Sequence, residues 1–159
     1  MCRRDRHAEL GLDGGTVPTP DLEKAPGVLK KLHGAMKMGY VRSCHDLSEG
    51  GLAVAVAEMC LAGNVGADVD LSVIDHADFP AGYDPTTALL FSESCTRFLV
   101  EVEPGKKFNL QTKMMGVPCI PLGRISKLSR LKVKDVHGTD CLEVTVDALR
   151  EAFQGGFQG

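Results

Sequence analysis

The nine residues from 44 to 52, CHDLSEGGL, concentrate polar side chains directly before two glycines. Asp46 offers a carboxylate of the kind that Mg²⁺ prefers, and Ser48 offers a hydroxyl that can donate to a phosphate oxygen. Gly50 and Gly51 let the backbone turn sharply or approach a ligand closely. The amides that begin a following helix carry partial positive charge, so an anion can dock there without a lysine. The segment is therefore a candidate site for magnesium and phosphate.

The same residue types also fit a purely structural interpretation of this segment. Ser48 can cap the helix that follows, and Asp46 and Glu49 can accept hydrogen bonds from loose backbone amides. Gly50 and Gly51 would then serve only a tight turn. Spacing alone leaves both interpretations open.

A second polar cluster, FSESCTR at residues 91–97, stands just before an apolar run typical of a strand. Glu93 and Arg97 are four residues apart and can form an ion pair, while Ser92 and Ser94 add hydrogen-bond donors. The pattern alone favours a surface ion pair with a capping serine, and a ligand site is the alternative interpretation.

Helical and strand patterns alternate along the chain, which predicts an α/β (α+β) sandwich with helices on a mixed sheet. We expect an N-terminal arm or linker at residues 1–20, one domain over 21–155 and a tail at 156–159. Helices are predicted from Asp21 to Gly39, from Ser48 or Glu49 to Gly63, and over 86–91, 106–115 and 147–153. Strands are predicted over 40–44, 67–71, 97–102 and 119–125, with a hairpin through 131–133 and 142–144.

Composition excludes several classes of function. The chain has 159 residues, 43% of them hydrophobic and 25% charged, with a formal net charge of −3. Lysine and arginine are scattered, which argues against nucleic acid as a partner. No apolar run approaches the roughly 18 residues of a membrane-spanning helix. The six cysteines form no CxxC pair, as expected for reduced thiols. We therefore predict a cytoplasmic protein that binds neither nucleic acid nor membrane.

The order of these motifs resembles the phosphoribosylformylglycinamidine synthase (FGAM synthase) family. HDLSEGGL at 45–52 is followed about forty residues later by LFSES at 90–94 and then by Arg97-Phe98. The likeness extends through Gly123-Arg124-Ile125 to VDALREAF at 146–153. The resemblance covers about residues 8–153. More specifically, it is to the last domain of that enzyme, a C-terminal domain of the AIR synthase-related type.

This resemblance implies part of an ATP-dependent C–N ligase of purine biosynthesis. The family converts formylglycinamide ribonucleotide (FGAR) to the amidine with ammonia that a glutaminase releases from glutamine. The implied cofactors are Mg²⁺ and ATP or ADP. By the same resemblance Asp46 is a Mg²⁺ ligand, Ser48 with Gly50 and Gly51 contacts the nucleotide, and Glu93 and Ser94 contact substrate. No catalytic residue is assigned.

The implied partners are the preceding ATP-binding domains of the same enzyme and the glutaminase. Without those domains, we expect the chain alone to be inactive and to self-associate through a face they would cover. Two alternatives remain. One is a related ATP-using enzyme, such as aminoimidazole ribonucleotide synthetase, selenophosphate synthetase or thiamine monophosphate kinase. The other is a non-catalytic binding or dimerisation module.

Overall fold

A computed structural model describes residues 18–77 and 84–155 of the chain. Its elements follow one another as α1 (Ala25–Lys37), β1 (Val41–Asp46), α2 (Gly51–Gly63), β2 (Gly66–Asp70), a short 3₁₀ helix (Leu71–Val73), α3 (Pro85–Phe91), β3 (Phe98–Val102), α4 (Lys107–Lys113), β4 (Gly123–Ser126), β5 (Arg130–Lys134), β6 (Asp140–Thr145) and α5 (Val146–Gly155). The predicted mixture of helices and strands is confirmed.

The chain divides into two compact units. The first consists of the residues up to Ala55 together with Ser92–Cys119, and the second consists of Val56–Phe91 together with the residues from Ile120 onward. The boundaries fall inside α2 and at two loops. Both polar clusters singled out from the sequence belong to the first unit, apart from Phe91 at the edge of the second cluster.

In the first unit, β1 and β3 form a two-stranded antiparallel sheet beside α1 and α4. The core cluster consists of buried Leu32 and Ala35 from α1 with Leu110 and Met114 from the α4 region. The α1 pair lies three residues apart, the spacing that places two side chains on one face of a helix. Val100 and other half-buried strand residues pack against this cluster. The core therefore holds the two-stranded sheet that carries both polar clusters.

The second unit is built on a four-stranded mixed sheet in the order β4-β2-β5-β6. The inner strands β2 and β5 are parallel, with Val69 opposite Val133, and the outer strands are antiparallel to them. Leu71 after β2 and Val146 after β6 are completely buried. The predicted hairpin is confirmed, since β5 and β6 pair along their length.

Four predicted element boundaries are wrong. The helix predicted from Asp21 begins at Ala25. The strand predicted over 119–125 begins only at Gly123, because Pro118 and Pro121 lack the N–H that a ladder requires. The helix predicted from Ser48 or Glu49 begins at Gly51. The strand predicted to end at residue 44 continues to Asp46, which pairs with Phe98.

Three further observations concern the extent of the described residues, their helices and their cysteines. The predicted tail at 156–159 and residues 1–17 of the predicted arm lie outside the described residues. In the described residues, no helix combines the length and the hydropathy needed to cross a membrane. The five cysteines that the structure describes are all free thiols.

Candidate functional site

The pairing of β1 with β3 brings the two polar clusters together. His45 lies opposite Leu99 and Asp46 lies opposite Phe98 in the antiparallel register. One further backbone hydrogen bond, from the Leu47 amide to the Arg97 carbonyl oxygen at 3.0 Å, extends the ladder beyond the strands. The turn after β1 therefore runs beside the loop that leads into β3.

A direct contact joins the two clusters. The Gly50 amide donates to Oε1 of Glu93 at a distance of 3.0 Å, across 43 positions of sequence. A carboxylate just before a helix is favoured by the partial positive charge of the helix N-terminus, here that of α2. The Glu93 carboxylate thus fixes the glycine turn from the loop that precedes β3.

Arg97 has a different partner from the one expected. The ion pair considered between Glu93 and Arg97 is not among the contacts of the described residues. Instead, one Nη of Arg97 donates to the Ser92 carbonyl oxygen at 2.6 Å and to the Ser92 hydroxyl at 3.0 Å. Burial lowers the pKa of the Arg97 guanidinium from its ordinary value, and its buried Nε has no hydrogen-bond partner in the described part of the chain.

The glycine turn requires glycine at its centre. Gly50 has φ +76° and Gly51 has φ +63°, a region that other residues adopt only with strain. A Cβ on Gly50 would lie 2.2 Å from Cγ2 of Val54. The Gly51 amide donates to the Ser48 carbonyl oxygen at 3.1 Å. Both glycine amides that the sequence offered to a phosphate therefore already donate within the chain.

The other predicted site residues present their side chains to solvent. The Asp46 side chain is 65% exposed, and its Oδ1 lies 3.7 Å from Nδ1 of His45. Ser48 and Ser94 are exposed, and within residues 18–77 and 84–155 neither hydroxyl forms a hydrogen bond. The side-chain cap considered for Ser48 is therefore not what the turn uses, since its carbonyl takes that part. Asp46, Ser48 and Ser94 remain available to a ligand.

The donors at this turn fit a magnesium ion only as part of a larger set. Among the described residues, no group of three or more histidine, cysteine, aspartate or glutamate side chains is arranged to hold a metal. Mg²⁺ commonly takes one or two carboxylates and fills its octahedron with waters and substrate phosphates. The single exposed carboxylate of Asp46 suits that kind of site.

Sequence reasoning missed two features of this loop. The role of Ser92 as the acceptor for Arg97 was masked by the more obvious pairing of opposite charges. Thr96 has φ +62°, which is a strained conformation for a β-branched residue. No sequence signal marks it, because threonine is among the residues least suited to that region.

Comparison with known proteins decides the family. A family model described as AIR synthase related protein, C-terminal domain, matches residues 3–136. The chain belongs to this family. Residues 3–136 include the glycine turn and the Ser92–Arg97 loop of this AIR synthase-related domain.

Two curated relatives carry the same name, phosphoribosylformylglycinamidine synthase subunit PurL. The protein from Deinococcus radiodurans is 32% identical over 149 residues, which is 94% of this chain and 19% of the relative. The protein from Lactobacillus helveticus is 36% identical over 124 residues, which is 78% of this chain and 15% of the relative. The AIR synthase-related chain therefore spans less than a fifth of the length of either relative.

Solved structures of PurL from Thermotoga maritima share the fold. The complex with FGAR has a TM-score of 0.72 at 21% identity and covers 86% of this chain and 23% of that chain. The complex with ADP has a TM-score of 0.70 at 24% identity, with coverages of 85% and 22%. The structure named PurLQS has a TM-score of 0.69 at 21% identity, with coverages of 91% and 24%. These likenesses establish the fold of the AIR synthase-related domain.

Proposed function

We propose that this chain is the C-terminal AIR synthase-related domain of a PurL-type FGAM synthase. That enzyme is an ATP-dependent ligase that converts FGAR to the amidine with ammonia from glutamine. The observation that carries the proposal is the Glu93–Gly50 hydrogen bond, which unites the two motifs that resemble this family in one site. The relatives named PurL and the structures with FGAR and ADP support it.

The proposed nucleotide role falls to the turn after β1. Asp46 would hold Mg²⁺ through its exposed carboxylate, and the ion would neutralise phosphate charge there. The free hydroxyl of Ser48 would donate to a phosphate oxygen. Gly50 and Gly51 would allow the phosphate to approach the backbone closely. The Gly50 amide would donate to the phosphate only after its hydrogen bond to Glu93 is broken.

The proposed substrate role falls to the loop before β3. Glu93 uses Oε1 to accept from Gly50, and its second carboxylate oxygen is available to a hydroxyl or amide donor of the ribonucleotide. The exposed hydroxyl of Ser94 can donate or accept beside it. In this arrangement the two motifs bind and orient ligands, and the reacting atoms are left to other parts of the enzyme.

The proposed partners follow from the length of the relatives. This chain spans 19% of the Deinococcus radiodurans PurL, so the ATP-binding domains of the same enzyme would supply most of the active site. The name PurLQS of one T. maritima structure supports further subunits, of which a glutaminase that delivers ammonia is the one we propose. Self-association of the isolated chain and a cytoplasmic location remain predictions.

Isothermal titration of the 159-residue chain with Mg-ADP tests the nucleotide role. Wild type should bind, and Asp46→Ala should reduce the affinity at least roughly tenfold, since a hydrogen bond or contact to a charged group contributes about 1.5–3 kcal/mol. Ser48→Ala should cause a smaller loss. Glu49→Gln is the matched control, because it removes an exposed carboxylate three residues from Asp46 that has no proposed role.

The controls make the result decisive. Equal losses for Asp46→Ala and Glu49→Gln would mean that only general charge matters, which contradicts a magnesium ligand at Asp46. Absence of Mg-ADP binding by folded wild-type chain overturns the nucleotide role of the turn. Binding that is unchanged when Mg²⁺ is removed contradicts the metal and leaves Ser48 as the principal contact.

A further inference from the structure

We propose that Arg97 is a positioning residue for Glu93. By its hydrogen bonds to Ser92, the residue before Glu93, it holds the Glu93 carboxylate against the Gly50 amide. The proposed function assigns Glu93 and Ser94 to substrate and gives no role to Arg97. The contact between Arg97 and Ser92 closes the loop of residues 92–97 on itself, and Glu93 is the residue next to the closure.

Both ends of this loop are fixed by contacts that involve Arg97. Its backbone carbonyl accepts from the Leu47 amide at 3.0 Å, which ties the end of the loop to the chain after β1. Its guanidinium donates at 2.6 Å and 3.0 Å to two oxygens of Ser92, which ties the start of the loop to its end. With Ser92 fixed, the Cα of Glu93 can lie no more than one peptide length away. The carboxylate is thereby placed for Gly50.

The partners of Arg97 point to positioning rather than to charge balance. Arg97 is half-buried, and a guanidinium withdrawn from water is usually paired with a carboxylate, yet none pairs with Arg97 in the described part of the chain. Its Nε is buried and has no acceptor there either. Within residues 18–77 and 84–155, the side-chain hydrogen bonds of Arg97 are therefore directed only at Ser92, whose carbonyl and hydroxyl orient the peptide that carries Glu93.

The same loop contains one residue in a strained backbone conformation, which the contacts of Arg97 can maintain. Thr96, at φ +62°, stands between Ser94 and Arg97. Strained residues persist where surrounding contacts over-determine them, and they cluster at ligand sites. The two oxygens of Ser92 and the Leu47 amide supply those contacts on either side of Thr96.

Amide NMR of the full chain tests this proposal without any ligand. Glu93→Gln should move the chemical shift of the Gly50 amide proton, because it replaces the charged acceptor of that amide with a neutral one. In Arg97→Met, the Gly50 shift should move more than half of the way to its position in Glu93→Gln. Exchange of the Gly50 amide with solvent should become roughly tenfold faster, as expected for a lost hydrogen bond to a charged group.

Two milder variants keep the proposal falsifiable if Arg97→Met fails to fold. Arg97→Lys retains the charge and the stem but lacks the guanidinium fork, and Ser92→Ala removes one of the two acceptors. Each should shift the Gly50 amide in the same direction by a smaller amount, with the Gly105 amide as an unaffected reference. A folded variant of Arg97 with an unchanged Gly50 shift and an unchanged Gly50 exchange rate overturns the positioning role.

The link to the proposed nucleotide turn rests on the proposed function and is measured separately. Because the phosphate would reach the Gly50 amide only once Glu93 has released it, Arg97→Lys should not weaken Mg-ADP binding. Any gain in affinity should be no larger than that of Glu93→Gln, because Arg97 acts only through Glu93. If the amide result holds and wild-type chain binds no Mg-ADP, the nucleotide role fails while the positioning role stands. If Mg-ADP binds and the Gly50 amide shift is unchanged in the Arg97 variants, the positioning role fails and the nucleotide role stands.

Discussion

Replacement of Gly50 by alanine should be among the most destabilising changes that add a single methyl group to the site. Alanine in the left-handed region costs about 1–2 kcal/mol, and Gly50 has φ +76°. The new Cβ would also lie 2.2 Å from Cγ2 and 2.8 Å from Cβ of Val54. Overpacking of that kind typically costs about 1–3 kcal/mol. The free energy of unfolding of Gly50→Ala should therefore fall by about 2–5 kcal/mol.

Gly39→Ala is the matched control, because it carries only the first of these costs. Gly39 has φ +68°, and a Cβ there would meet no atom within 4 Å. Its loss should be about 1–2 kcal/mol. Urea denaturation followed by far-ultraviolet circular dichroism measures both variants, since the chain contains no tryptophan for fluorescence. The difference between the two losses isolates the contact with Val54.

Equal losses for the two variants would refute the steric part of this reasoning. A second check uses Val54→Ala in the Gly50→Ala background, which removes the Cγ2 atom that the new methyl group would strike. That double variant should recover part of the stability lost in Gly50→Ala. A double variant whose loss equals the sum of the single losses would show that the added methyl group and the Val54 side chain do not interact.

Three further predictions concern the fold. Leu71→Ala should lose about 2–5 kcal/mol by urea denaturation because Leu71 is completely buried, and a loss below about 1 kcal/mol would contradict that burial. Gly66→Ala should disrupt the sheet, since its Cβ would lie 1.9 Å from a backbone oxygen. Gly27→Ala is the control, because it has open space around it and should be neutral or stabilise by about 0.5–1 kcal/mol. Similar thermal midpoints for the two variants would contradict the packing of β2. Hydrogen bonds from Thr87 hold the pKa of Asp84 below its ordinary value, so the stabilising contribution of Asp84 should be complete above about pH 4 and lost at lower pH. Asp84→Asn should therefore reduce the loss of thermal stability at acidic pH. An unchanged dependence of the melting temperature on pH would contradict this role of Asp84.

The parts of the fold that follow local rules could be predicted from the sequence. Alternation of apolar residues predicted β2, and an apolar run predicted β3. The hairpin of β5 with β6 was also expected, and α1 ends before Gly39, where a left-handed glycine was expected. The strand predicted over 119–125 begins late because two prolines, at 118 and 121, prevent the apolar residues there from joining a strand. At Gly123 the strand begins where a missing Cβ permits close approach, since a Cβ there would lie 1.9 Å from the Asp68 carbonyl oxygen.

The residues of the candidate site could be named from the sequence, but not their contacts. Asp46, Ser48 and Glu93 attract attention as polar residues beside glycines or in a serine-rich run. The hydrogen bond from Gly50 to Glu93 joins positions 43 residues apart and depends on the register of β1 with β3, which no local pattern specifies. The grip of Arg97 on Ser92 was missed for a related reason, because opposite charges four residues apart suggest an ion pair whatever the backbone does between them.

The outer strands β4 and β6 are the edge strands of the four-stranded sheet. Each edge is short and carries charge: Arg124 lies 3.2 Å from Asp68, and Asp140 lies 2.6 Å from Lys132. Such charges act as gatekeepers against the templated addition of another chain. Salt screens such exposed charges and weakens their ion pairs with the inner strands. Concentrated stocks in high salt are therefore the condition in which fibrous association of this half of the chain should begin.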